Sequence, residues 1–204
     1  MDNQPNLVFP KERTLVINIL RYWKKTISCR KHLFGRHNRV RKLVIVASLG
    51  ALSGIFQSAG GLLPGIGFVI SPLATAPIVI AALLSVRSGI AAYFLTICLL
   101  TILQPSELII FPFSTGLLGL GIGLGFTLLK SRISITMTGT LLLLAGVYFV
   151  FYGLKFPILG PTMSTPFNIG TTLMVFFFCF VYSWIWIEFS LKITKRLSKT
   201  IVKT

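Results

Sequence analysis

The chain carries four carboxylates, Asp2, Glu12, Glu107 and Glu188, and two imidazoles, His32 and His37. General acid–base catalysis asks for titratable groups within hydrogen-bond reach of a reacting centre, and nucleophilic catalysis for a hydroxyl or thiol beside a base. Neither set can be assembled in the long apolar stretches, because both histidines precede them in the basic segment from Cys29 to Lys42. That segment contains no carboxylate, and two imidazoles among cations make poor metal ligands. Cys29, Cys98 and Cys179 are odd in number and far apart, which fits neither a disulfide framework nor a metal site. The stretch "GFTLLKS" ends in Lys130 and Ser131 as a phosphate-binding loop does, but Leu129 stands where that loop requires Gly. The glycines of "GLLGLGIGLG", Gly116 to Gly125, lie in an apolar stretch with no preceding strand. Close helix packing, with Gly116, Gly119 and Gly123 on one face, accounts for them better than a dinucleotide site. No enzymatic activity, no cofactor and no metal are expected.

The elements that must position the remaining polar groups follow from composition. Hydrophobic residues make up 54% of 204, mean hydropathy is +0.84, and 12% of residues are charged, about half the share in soluble domains. These values describe an all-α polytopic membrane protein. Its net charge of +16 is unevenly placed: eleven of the 20 Lys and Arg lie in residues 1–42, and Lys192, Lys195, Arg196, Lys199 and Lys203 lie at the other end. Two basic tails suit anionic lipid headgroups, and no nucleic acid partner is expected.

A hydrocarbon core takes about 20 apolar residues to cross. Six segments meet or approach that length: Leu43 to Leu63, Ile66 to Leu84, Ser88 to Leu103, Leu108 to Leu129, Ile133 to Leu154 and Ile169 to Leu191. The connections "GGLLPG", "SVR", "QPSE", "KSR" and "KFPILGPTMSTPFN" are turn-like or rich in Pro and Gly. An even number of spans puts both termini on one side, and the basic tails with Arg87, Lys130 and Arg132 make that side the cytoplasm, leaving Lys155 outside. No cleavable leader is expected, since 42 mostly polar residues precede the first long apolar stretch. The chain thus divides into a basic N-terminal segment, 1–42, a six-helix membrane domain, 43–191, and a basic tail, 192–204. In "RTLVINILRYWKK", Leu15, Val16, Ile19, Leu20 and Trp23 share a helical face opposite Asn18, Arg21 and Lys25, the pattern of a helix lying in the membrane interface. Glu188, beside Trp184, Trp186 and Lys192, reads as a structural charge at the inner boundary.

In the first span, Ala47, Gly50, Ala51 and Gly54 stand at i, i+3, i+4 and i+7 and so line one helical face. Small residues at this spacing allow helix backbones to approach closely in lipid. Periodicity leaves open whether the other helix belongs to this chain or to a partner.

A first helix with Ala-x-x-x-Ala, here Ala47 to Ala51, on a basic six-span protein of this size resembles the substrate-binding S component of bacterial energy-coupling factor (ECF) transporters. The resemblance covers residues 43–191; the N-terminal extension departs from it. It implies that Ala47, Gly50, Ala51 and Gly54 dock a transmembrane coupling subunit attached to two cytoplasmic ATPases. It also implies capture of a vitamin or similar small organic nutrient at the outer ends of the spans, in the bacterial cell membrane. Gln57, Glu107, Tyr148, Lys155 and Asn168 are the candidate ligand contacts there, among other polar residues at the same level such as Ser71, Gln104, Ser114, Tyr152 and Thr172. Glu107 and Lys155 are the charged members of that set. The turn "GGLLPGIG", Gly60 to Gly67, fits either the lid of such a site or a plain tight turn. The alternative from another class is a membrane scaffold or assembly protein whose small-residue faces serve protein contacts alone. A secondary carrier is disfavoured, because the spans hold few groups able to couple protons.

Overall fold

The computed structural model describes residues 22–23, 39–155 and 169–201, the last few of these as backbone only. The described residues form helices joined by short turns, with no strand among them. Six helical stretches are long and apolar enough to cross a membrane: Arg39–Leu62, Gly67–Leu84, Val86–Leu103, Glu107–Leu128, Arg132–Gly153 and Ile169–Thr194. Each lies within a few residues of its expected position. The first begins at Arg39, inside the basic segment, and the sixth continues as one helix to Ile201 through most of the expected tail.

The turns have local causes. Ser85 is extended, and its hydroxyl accepts the Ser88 N–H at 3.1 Å, capping the start of the third span. The Lys42 ammonium donates to the same hydroxyl at 2.9 Å, which ties the start of the first span to the end of the second. Between the first two spans Gly65 takes φ 78°, a left-handed conformation that a side chain would strain. Two residues on, Gly67 lies so close to the Ala59 carbonyl that a β-carbon would sit 2.0 Å from its oxygen. Alternation of the spans gives the bundle two ends. Arg39, Leu84, Val86, Leu128 and Arg132 mark the basic end; Leu62, Gly67, Leu103, Glu107 and Gly153 mark the opposite end.

The second and fourth spans form the centre. Gly119 and Gly123 on the fourth receive Ile78 and Ala82 of the second, so two of the three glycines expected to share a packing face serve close helix approach. One apolar core, with Val46, Ile78, Ala92, Leu100 and Phe111, joins the first and third spans to this centre. A second, with Leu118, Ile122, Ile135, Leu143, Cys179 and Ile187, joins the fifth and sixth. Among the described residues the first span touches neither the fifth nor the sixth.

Three irregularities cluster toward the opposite end. The second span passes from an α-helical turn, Gly67–Ile70, into a 3-10 turn, Ser71–Ala74, with Pro72 near its start. The fourth contains Pro112 and breaks at Ser114, with φ −118° and ψ −96°. The fifth closes in a π-helical turn, Phe149–Gly153. In lipid the backbone groups at such breaks need partners from the protein. The Ser53 hydroxyl donates to the Ala74 carbonyl at 2.9 Å, and the Tyr93 hydroxyl to the Pro112 carbonyl at 3.1 Å. Neighbouring spans therefore hold the breaks in place.

Candidate functional site

Gln57 occupies the last turns of the first span and is fully buried. Its amide nitrogen donates to the Glu107 carboxyl group at 2.7 Å, and its carbonyl accepts the Thr115 hydroxyl at 2.8 Å. The row thus runs in one direction, Thr115 donating to Gln57 and Gln57 to Glu107. Glu107 opens the fourth span after the Gln104–Ser106 turn, and Thr115 follows the break at Ser114, so the two halves of one broken helix both reach the same glutamine. Glu107 is 7% exposed, and its second carboxyl oxygen lies over Gly60, 2.8 Å from where a β-carbon would stand, with Ser71 alongside. Three spans thus enclose one carboxyl group at the level where two of them are irregular. Discontinuous helices build substrate sites in membrane transporters in this way. Chemically, the row offers a fixed acceptor for an N–H or O–H of a small molecule, held by a donor already in place.

The other expected contacts lie elsewhere. Tyr148 donates its hydroxyl to Thr172 at 2.9 Å and stacks on Tyr152, with ring centroids 5.7 Å apart, joining the fifth span to the start of the sixth. Lys155 is exposed, in a left-handed conformation with φ 53°. Asn168 lies outside the described residues. The structure therefore unites Gln57 and Glu107, and adds Thr115, which sequence reading passed over in favour of its neighbour Ser114. Pro112 signals an irregularity nearby, but the break falls at Ser114, and the sequence carries no local sign that Thr115 turns inward.

The small-residue face of the first span divides. Gly50 and Gly54 are buried against the third span, meeting Leu95, Ala92 and Leu99, and the Thr96 hydroxyl donates to the Gly50 carbonyl at 3.0 Å. Ala47 is exposed and Ala51 half-buried. They continue an outward strip with Val40, Val44 and Ile55, whose exposures run from 57% to 71%. A single helical face thus serves internal packing with its glycines and leaves Ala47 open and Ala51 half-buried.

Among the described residues no three His, Cys, Asp or Glu side chains gather as metal ligands. The chain matches no family model, no curated protein and no solved structure.

Proposed function

We propose that this protein is the substrate-capture membrane subunit of an ECF-type importer for a vitamin or similar small organic nutrient, driven by separate ATPase subunits. The observation that carries the proposal is the buried Thr115–Gln57–Glu107 row beside the breaks in the second and fourth spans. A largely apolar enclosure with few placed polar groups suits a small organic molecule. The exposed Ala47 and half-buried Ala51 add support, since these are the positions that would dock a coupling subunit through close backbone approach. In this reading the basic termini face the cytoplasm beside anionic lipid headgroups, and the site faces outward from the cell membrane.

The test is affinity purification from native membranes in mild detergent, comparing the wild type with an Ala47→Leu, Ala51→Leu double variant. Leucine inserts well into lipid, so loss of a partner reports on the face rather than on membrane insertion. A coupling subunit and two ATPases are expected with the wild type and are expected to fall about tenfold or more with the double variant, given that isobutyl side chains in place of two methyls hold the backbones apart. Mass spectrometry of the small molecules retained by the wild type identifies the ligand. If no ATPase accompanies either form, the importer reading fails and a scaffold role takes its place.

A further inference from the structure

At the basic end a second polar assembly joins three stretches of chain far apart in sequence. Arg132, first residue of the fifth span, pairs with Glu188 of the sixth. The Tyr22 hydroxyl donates to the same Glu188 oxygen at 2.6 Å and accepts the Trp184 indole N–H at 3.2 Å. The Arg132 guanidinium lies over the Tyr22 ring, 4.4 Å from its centroid. Next in sequence, the Trp23 carbonyl accepts the Ser131 hydroxyl at 3.1 Å. The Trp23 ring packs near Phe180 and Trp184, with centroids 5.9 and 6.2 Å away.

We infer that Tyr22 and Trp23 latch the chain at that point to the basic ends of the fifth and sixth spans, bound to the protein rather than resting free in lipid headgroups; the rest of the expected interfacial helix lies outside the described residues. The half-buried phenol makes three distinct contacts: its O–H donates to a carboxylate, its oxygen accepts an indole N–H, and its ring faces a guanidinium. Hydrogen bonds to charged groups and cation–π contacts are among the stronger single interactions a side chain makes. The latch also answers a need of the spans. Arg132–Glu188 is the one ion pair among the described residues, with the Arg132 side chain 11% exposed and its Nε buried without a hydrogen-bond partner, so a cation in this position gains from any further contact. Tyr22 supplies Glu188 with a second donor and lays an aromatic face against the cation. Because the first span does not touch the fifth or sixth, the latch is separate from the exposed Ala47 and half-buried Ala51.

The latch has a defined response to alkali. Desolvation, followed by the hydrogen bond to Glu188, raises the Tyr22 pKa above the ordinary 10.0, against smaller lowering effects from Trp184 and Arg132. A raised folded-state pKa means that the contribution of the phenol is fully present below pH 10.0 and is lost as pH climbs through the higher value. Phenolate absorbance of Tyr22, isolated as the difference between the chain and a Tyr22→Phe variant, is expected to rise later than that of a free tyrosine. A midpoint at or below the free value contradicts the half-buried, carboxylate-facing phenol.

The deciding experiment places the photocrosslinker p-benzoylphenylalanine at position 23 in the full chain and irradiates native membranes. Crosslinked peptides are then located by mass spectrometry. The expected product joins position 23 to the peptide holding Phe180 and Trp184. Its yield is expected to fall about tenfold in Tyr22→Ala, and less in Tyr22→Phe, which keeps the ring under Arg132 but loses both hydrogen bonds. Adducts to phospholipid alone, or an equal yield in Tyr22→Ala, overturn the latch and return the segment to the membrane surface. Tyr22 lies outside the spans, so the extraction yield of each variant, expected to match the wild type, separates release of the latch from loss of the bundle.

Discussion

Gly146→Val is expected to leave almost none of the chain in a monodisperse, detergent-extractable form. A β-carbon at position 146 would stand 1.7 Å from the Phe113 carbonyl oxygen and 2.7 Å from its carbon. Both are backbone atoms, so no rotamer change relieves the overlap. Phe113 is the last helical residue before the break at Ser114, and its ring also packs on Phe149, with centroids 4.7 Å apart. Moving it aside would pull apart the fourth span and the π-helical end of the fifth together. Overpacking against side chains costs about 1–3 kcal/mol; overlap with a fixed carbonyl exceeds that, and Gly146→Ala is expected to be damaging too. Gly54→Ala is the control, because its added methyl would meet Leu99 at 3.4 Å, an ordinary contact. Size-exclusion profiles of fluorescent fusions, with melting temperatures of the extracted protein, read the contrast. A Gly146→Val variant that elutes and melts like the wild type would mean that the fourth and fifth spans do not approach as described.

The number and approximate limits of the spans were legible because hydropathy reports contact with lipid residue by residue, and an apolar stretch of sufficient length has few other solutions. Arg39 escaped because a helix can run past the boundary into a basic segment while its cationic side chains reach outward. The breaks were half legible. Pro72 and Pro112 announce irregularity, but the chain breaks at Ser114 rather than at the proline, and the Pro112 carbonyl is met by Tyr93 from another span. A one-dimensional pattern carries no record of that partner. The small-residue face shows the same limit. Spacing places Ala47, Gly50, Ala51 and Gly54 together, yet a helical face is wide enough for the third span to take the glycines and leave the alanines. Gln57 and Glu107 stood out as rare polar groups near apolar runs, and their meeting is a product of tertiary structure. Arg132 and Glu188 were each visible as isolated charges, whereas the third member of their cluster, Tyr22, lies 110 residues before Arg132 in the sequence and no local signal connects them.

Gln57→Leu and Glu107→Gln are expected to separate, and their separation distinguishes a binding row from a packing device. Leucine at position 57 fills a similar volume but removes the donor that faces the Glu107 carboxyl group and the acceptor that holds the Thr115 hydroxyl. Both partners are more than nine-tenths buried, and each opens one half of a broken helix. Stranding one carboxyl group and one hydroxyl costs about 2–4 kcal/mol in water-excluded surroundings, although polar groups in unfolded membrane segments find substitutes, and the measured loss is expected near the lower figure. Glutamine at position 107 keeps an oxygen where the Gln57 amide donates, so the row survives and melting should shift little. What it loses is the capacity to carry charge and to accept at the second oxygen, over Gly60. If the row holds a nutrient, Glu107→Gln therefore lowers retention of the copurifying small molecule at nearly unchanged stability, while Gln57→Leu lowers both. The readout is paired melting and small-molecule mass spectrometry on each purified variant. Full ligand retention in a stable Glu107→Gln protein would leave the carboxyl group with structural work alone, and the substrate site would have to be sought around Tyr148 and Thr172.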